Sequence, residues 1–210
     1  MLIDIRVCIF YHFTQGCLIQ CVHQLRIIGG RLKGRKLAAF RGQSVRPTSD
    51  RVRESLFNIL SVAWEGKEVL DLFAGTGGLG IEAISRGACR VVFIENHPNA
   101  IHVLEKNIAA LNLSSCSEVL KYSVEKGISQ VGKAGRTFDV IFLDPPYSGG
   151  LADTSLRLIG SSDILAEGGV VVVEHQGKEV LSERYQKLSM HDQRTYGKTG
   201  ISFFVSELLT

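Results

Sequence analysis

Four consecutive residues, Asp144-Pro145-Pro146-Tyr147, combine an acid, two rigid turns and an aromatic ring. They follow Phe138 to Leu143, where five of six residues are apolar and four run unbroken from Val140, as in a strand covered on both faces. Two adjacent prolines forbid both ladder hydrogen bonding and immediate helix, so the chain leaves the sheet extended. The resulting rim offers the Asp144 carboxylate, backbone carbonyls and the face of Tyr147. It suits a planar group with an amino donor, such as a nucleobase with an exocyclic amine. Asp144 and the Pro145 carbonyl are placed to accept the two amino protons, and Tyr147 to stack on the base, which turns the nitrogen lone pair toward an electrophile. Asp144 is also a candidate to receive the proton lost after transfer.

A second constellation is Gly75-x-Gly77-x-x-Gly80 at the end of an apolar strand, where glycines let backbone approach a ligand and a helix start offers free amide donors. Glu95 ends the next strand, twenty residues after Gly75, the place of an acid that accepts both ribose hydroxyls. These features serve a dinucleotide and S-adenosylmethionine equally. Asp71 separates them: a carboxylate there holds an ammonium group, which adenosylmethionine has and NAD lacks, and it repels a pyrophosphate. The Asp144 rim has no role in hydride transfer. A sulfonium methyl donor is already activated, so positioning is the main work asked of the protein.

The elements that must hold these residues alternate. Strands are expected at Glu68–Phe73, Arg90–Glu95, Ser117–Tyr122, Phe138–Leu143 and Val170–Glu174, with helices after the glycines, from Pro98 to Leu111, from Val124 and from Leu151 to Gly160. Glu167-Gly168-Gly169 reads as a turn, and the tail supplies two more strands near Arg184–Met190 and Ile201–Glu207. This pattern predicts an α/β, Rossmann-like fold with a seven-stranded, mostly parallel sheet.

Upstream, Leu25 to Val45 reads as a basic hairpin, with turns at Gly29, Gly30 and Gly34 and leucines alternating with cations. A helix follows, capped by Thr48 or Ser49, with Val52, Leu56, Ile59, Leu60 and Ala63 as its buried stripe and Arg51, Glu54 and Asn58 opposite. Leu25 to Arg53 holds nine Lys or Arg against one acid, whereas the whole chain of 210 residues is only +3. Such local density favours a polyanion, so Arg31, Lys33, Arg35, Lys36, Arg46, Arg51, Arg53 and Asn58 are the candidate polyanion-binding residues, and the family resemblance described below implies that the polyanion is RNA. Three parts are thus expected: residues 1–24, 25–64 as a basic hairpin and helix whose polyanion the resemblance below implies to be RNA, and 65–210 as the Rossmann-like domain.

Residues 1–24 change texture sharply at Leu25 and are read as a leader outside the native protein, with Leu25 or Val22 as a non-AUG start; the alternative is a genuine extension. Asp4 and Arg6 cancel, which argues against a signal peptide. The five cysteines form no C-x-x-C pair and suit a reducing cytoplasm. Cys17, Cys21 and His23 match no standard zinc spacing, so no metal is expected. No apolar run reaches the ~20 residues of a membrane helix.

The combination Arg26-Ile27-Ile28-Gly29-Gly30, Arg46-Pro47-Thr48-x-Asp50-Arg51-Val52-Arg53-Glu54, Asp71-Leu72-Phe73-Ala74-Gly75-Thr76-Gly77 and Asp144-Pro145-Pro146-Tyr147 resembles the RsmD family. The resemblance runs from Leu25 to the C-terminus and includes Tyr196-Gly197-Lys198-Thr199. It implies a methyltransferase acting on the 2-amino group of a guanine in 16S ribosomal RNA or the small subunit. It also implies S-adenosylmethionine held by Asp71, Phe73, Ala74, Gly75, Thr76 and Gly77 at its methionine end and by Glu95 and Asn96 at its ribose. Ser123 stands where many such enzymes carry an acid that reads the adenine amine, a departure from the usual pattern. A cytoplasmic monomer is expected. The tetrapeptide alone is shared with DNA amino-methyltransferases, and a non-catalytic RNA-binding assembly factor is the alternative from another class.

Overall fold

The computed structural model describes residues 25–39, 50–60, 62–146 and 150–206. The expectations for residues 1–24, for Arg46, for the Thr48 or Ser49 cap and for Tyr147 lie outside the described residues.

Five parallel strands, β1 (Glu68–Leu72), β2 (Arg90–Ile94), β3 (Ser117–Leu120), β4 (Phe138–Leu143) and β5 (Leu165–Gln176), are extended by antiparallel β6 (Arg184–Tyr185), β7 (Leu188–Tyr196) and β8 (Thr199–Ser206). The order is β3-β2-β1-β4-β5-β8-β7-β6. Chain order reverses between β1 and β4, and ligands bind at the carboxyl ends of such a switch point. Asp144 leaves β4 there.

The sheet has eight strands rather than the expected seven. Residues 184–190, read as one strand, split at Gln186, whose φ of 50° turns the chain into the β6–β7 hairpin. Glu167-Gly168-Gly169 was expected as a turn, but β5 runs through it; Gly168 has φ 69° and the β4–β5 register shifts between Phe138 and Val140.

Five helices cover the sheet: α1 (Asp50–Leu60), α2 (Gly78–Arg86), α3 (Pro98–Ala110), α4 (Val124–Lys133) and α5 (Leu151–Gly160). One face packs Val69, Phe93 and Phe142 under α1, α2 and α3; the other packs Leu70, Ile141 and Val171 under α4 and α5. Each strand of β1, β2 and β4 is therefore apolar on both sides, and alternate residues feed different cores. The stripe of α1 differs from its expectation. Arg53, Leu56 and Phe57 are its buried residues, Val52, Ile59 and Leu60 are half-buried, and Ala63 is exposed beyond the helix end.

The basic segment is pinned by side chains it does not itself carry. Glu82, fully buried on α2, accepts hydrogen bonds from the Ile28 and Gly29 amides, both at 2.7 Å, and from Arg86 Nε at 2.8 Å. Ser85 Oγ donates to the Gly29 carbonyl and accepts from the Leu32 amide. The two glycines are demanded by this docking: a Cβ at Gly30, whose φ is 70°, would sit 1.8 Å from the Ser85 carbonyl oxygen, and one at Gly29 would meet Arg86. Among the described residues the expected hairpin is an Arg26–Lys36 antiparallel bridge around a 3-10 turn at Gly30–Leu32, and residues 40–45 of its expected range lie outside them. Its two faces hold: Ile27 and Leu37 are buried, while Arg31, Lys33, Arg35 and Lys36 are exposed.

Candidate active site

The glycine loop joins β1 to α2. Phe73 takes φ 61°, an unfavourable left-handed conformation for an aromatic residue, and starts the turn that carries Ala74, Gly75 and Thr76 across the ends of β1 and β2. The three glycines divide their work. A Cβ at Gly80 would lie 2.3 Å from the Phe93 ring, and one at Gly77 2.6 Å from Leu104 Cδ1, so these two permit close helix packing. At Gly75, with φ 56°, the nearest atom to a Cβ is 3.9 Å away, so this is the backbone that faces open space.

Glu95 follows β2 and is half-buried. One carboxylate oxygen accepts from the Gly75 amide at 2.8 Å; the other accepts from the Asn96 and His97 amides at 2.9 and 2.8 Å. It therefore ties the glycine loop to the second strand with three of its four lone-pair sites, which leaves one for a ribose hydroxyl. Asn96 is exposed beside it. Ser123, also exposed, caps α4 by accepting from the Lys126 amide at 3.4 Å.

Asp71 lies beneath the loop at 1% exposure and accepts from the Gly80 amide at 2.9 Å. Burial, reinforced by the charge of Glu95 and offset in part by that amide, pushes its carboxyl up to about 7. Asp144 is half-buried at the end of β4, followed by buried Pro145 and exposed Pro146. Its carboxyl is pushed well above the ordinary range by burial, then by the charges of Glu174 and Asp71. Among the described residues neither Asp71 nor Asp144 has an ion pair, so two acids await a cation or hydrogen-bond donors. A sulfonium cofactor with an ammonium group fits such a site: Asp71 would receive the ammonium and Glu95 the ribose, beside the open backbone at Gly75.

The candidate RNA residues separate. Arg31, Lys33, Arg35, Lys36, Arg51 and Asn58 are exposed. Arg53 is not on this surface, which corrects its expected role. At 1% exposure its Nη2 donates to the Arg26 carbonyl at 2.7 Å and to Asp50 at 2.8 Å, so it braces α1 against the basic segment. Its Nε and Nη1 are buried without a hydrogen-bond partner among the described residues.

Sequence reasoning overlooked Glu82, Ser85, Asn107 and Glu174. Asn107 on α3 exchanges two hydrogen bonds with Ala38 and donates a third to the Thr76 carbonyl, linking the basic segment to the glycine loop. The available signal was a polar residue on an otherwise apolar helix stripe, as at Glu82 between Ile81 and Ala83 or Asn107 beside Leu104 and Ile108.

Residues 25–205 match the family described as Conserved hypothetical protein 95. A Bacillus subtilis protein named putative rRNA methyltransferase YlbH is 39% identical over 180 residues, 86% of this chain and 98% of the relative. The Escherichia coli ribosomal RNA small subunit methyltransferase D is 33% identical over 184 residues, 88% of this chain and 91% of that one. The chain belongs to the RsmD family. A solved structure of a putative methyltransferase from Escherichia coli superposes with a TM-score of 0.77 at 34% identity, covering 88% of this chain and 98% of the other. The RsmD relationship thus spans both the basic segment and the sheet domain.

Proposed function

We propose that this protein transfers the methyl group of S-adenosylmethionine to the exocyclic 2-amino group of a guanine in small-subunit (16S) ribosomal RNA. The observation that carries this reading is the placement of Asp144-Pro145-Pro146 at the switch point, one strand from the glycine loop. When bound, the cofactor supplies an electrophilic methyl group. Asp71 would hold its ammonium group, the Phe73 to Gly77 loop its methionine end, and Glu95 with Asn96 its ribose, with Ser123 toward the adenine. Asp144 and the Pro145 carbonyl orient the acceptor amine, and Tyr147 stacks on its base. The work is positioning, because the donor needs no nucleophile generated by the protein.

Residues 25–64 form the RNA-gripping part, with exposed Arg31, Lys33, Arg35, Lys36, Arg51 and Asn58 available to phosphates and Arg46 assigned to the same role from its sequence alone, and residues 65–210 form the catalytic domain. The protein works as a monomer in the cytoplasm. No helix among the described residues is long and apolar enough to cross a membrane. The test is incubation with methyl-labelled cofactor and unmethylated small subunits, naked 16S RNA or DNA, followed by mapping of the product. Label on a guanine 2-amino group in the ribosomal substrate is the expected result. Label on DNA, on another base, or nowhere overturns it.

A further inference from the structure

Glu174 lies two residues before the end of β5, next to the site just described. The β4–β5 register pairs Phe142 with Val172 and Leu143 with Val173. The next step sets Asp144 beside Glu174 on neighbouring strands, whose spacing is about 4.8 Å. Residues two apart on a strand share a face. Phe142 and Val172 belong to the core beneath α1 and α2, so Asp144 and Glu174 emerge on that side, one layer beyond. Asp71, paired with Phe142 across β1 and β4, is turned the same way. Glu174 is 4% exposed, and its charge is the largest influence on the Asp144 carboxyl after burial. The pair therefore sets two carboxyl groups on neighbouring strands at the end of the sheet where the reading above places the acceptor base.

A base with an amino group beside a ring N–H matches such a pair. Guanine offers N1–H next to its 2-amino group. Adenine and cytosine set their amines beside a ring-nitrogen lone pair, which a carboxylate repels, and uracil has no amine. Resting on the guanine reading above, we propose that Glu174 determines base specificity: its carboxylate accepts guanine N1–H while Asp144 accepts from the 2-amino group. The Asp-Pro-Pro-Tyr sequence alone serves any amino base, and a second acid on the neighbouring strand narrows it to one.

The experiment replaces the mapped target guanine in reconstituted small subunits by 2-aminopurine, which keeps the 2-amino group but carries a lone pair at N1. The wild-type protein is expected to favour guanine by about 100-fold or more in kcat/KM, because a group built to accept N1–H is left facing a lone pair. Glu174→Gln has an amide that donates to N1, so it should narrow this ratio by at least about 10-fold while binding S-adenosylhomocysteine as the wild type does. Equal losses on both substrates overturn the proposal, as does a wild-type protein that methylates both alike. A wild-type protein without preference overturns the proposal whether or not the variant folds, and Glu174→Asp, which keeps the acceptor, should retain the wild-type preference if Glu174 is its source. A wild-type product mapped away from guanine N2 is a separate result, and it ends the guanine reading itself.

Discussion

The two ends of the central sheet treat their acids in opposite ways. At the amino end, Asp139 meets Lys67 Nζ at 2.8 Å and the Glu68 amide at 2.9 Å, while Arg136 reaches Glu118 at 2.7 Å and Glu68 at 3.4 Å. Burial works against the Asp139 carboxylate, but Lys67 and the Glu68 amide outweigh it and hold the carboxyl below its usual range. At the carboxyl end, Asp71 and Asp144 are raised by burial and by other acids. A sheet that neutralises charge at one end can also do so at the other. Leaving acids crowded at the switch point costs stability and reserves them for donors brought by ligands.

The comparison is broken most directly by Asp144→Ala, which should lower methylation by more than about 1,000-fold if orientation of the amine is the main contribution. Cofactor affinity measured by calorimetry should change by less than about threefold, since Asp144 lies beside β1 rather than in the glycine loop; retained turnover would remove Asp144 from the chemistry.

The next effect is on stability. Between the ordinary aspartate value and about 7, the folded chain keeps a proton on Asp71 that the unfolded chain has released. The unfolded state then binds fewer protons, so the stability of the free protein should fall as pH rises through that window, by up to about 1.4 kcal/mol per pH unit. Denaturant titrations at several pH values should show this slope on top of a like contribution from the raised Asp144 carboxyl, and either Asp71→Asn or saturating cofactor should make the total shallower. A slope unchanged in Asp71→Asn would mean that Asp71 is ionised throughout.

A smaller effect is expected on the basic segment. Replacing exposed Lys33 and Arg35 together by alanine should raise the KM for ribosomal substrate several-fold, and the salt dependence of binding should lose about 1–2 units of log–log slope. Cofactor binding should not change. The least effect belongs to the amino end: Asp139→Asn should cost about 1 kcal/mol in thermal or denaturant unfolding, as a partly exposed pair does, with kcat untouched. A loss of kcat there would erase the distinction between the two ends.

Much of the catalytic end was readable because it depends on local pattern. Apolar runs closed by Glu95 and Asp144 mark strand ends, Asp71 is the acid set within the first run, and glycines at 75, 77 and 80 mark the tight turn between strand and helix. The basic segment was readable as charge but not as structure. Arg53 looked like its neighbours Arg46 and Arg51, yet the α1 turn points it inward to the Arg26 carbonyl and Asp50. The extra strand was missed because a two-residue β6 exists only through its pairing with β7.

The order of strand-forming and helix-forming segments, the local basic charge and the acid-proline-proline rim are properties of the sequence itself, since each follows from periodicity, composition or proline geometry over a few residues. Tertiary structure decided the rest through contacts between residues far apart in the chain. Glu82 reaches amides 53 and 54 residues earlier to dock the basic segment, and Asn107 joins that segment to the glycine loop. Glu174 stands beside Asp144 only because β5 pairs with β4 in that register, and a shift of one residue would turn its side chain to the opposite core.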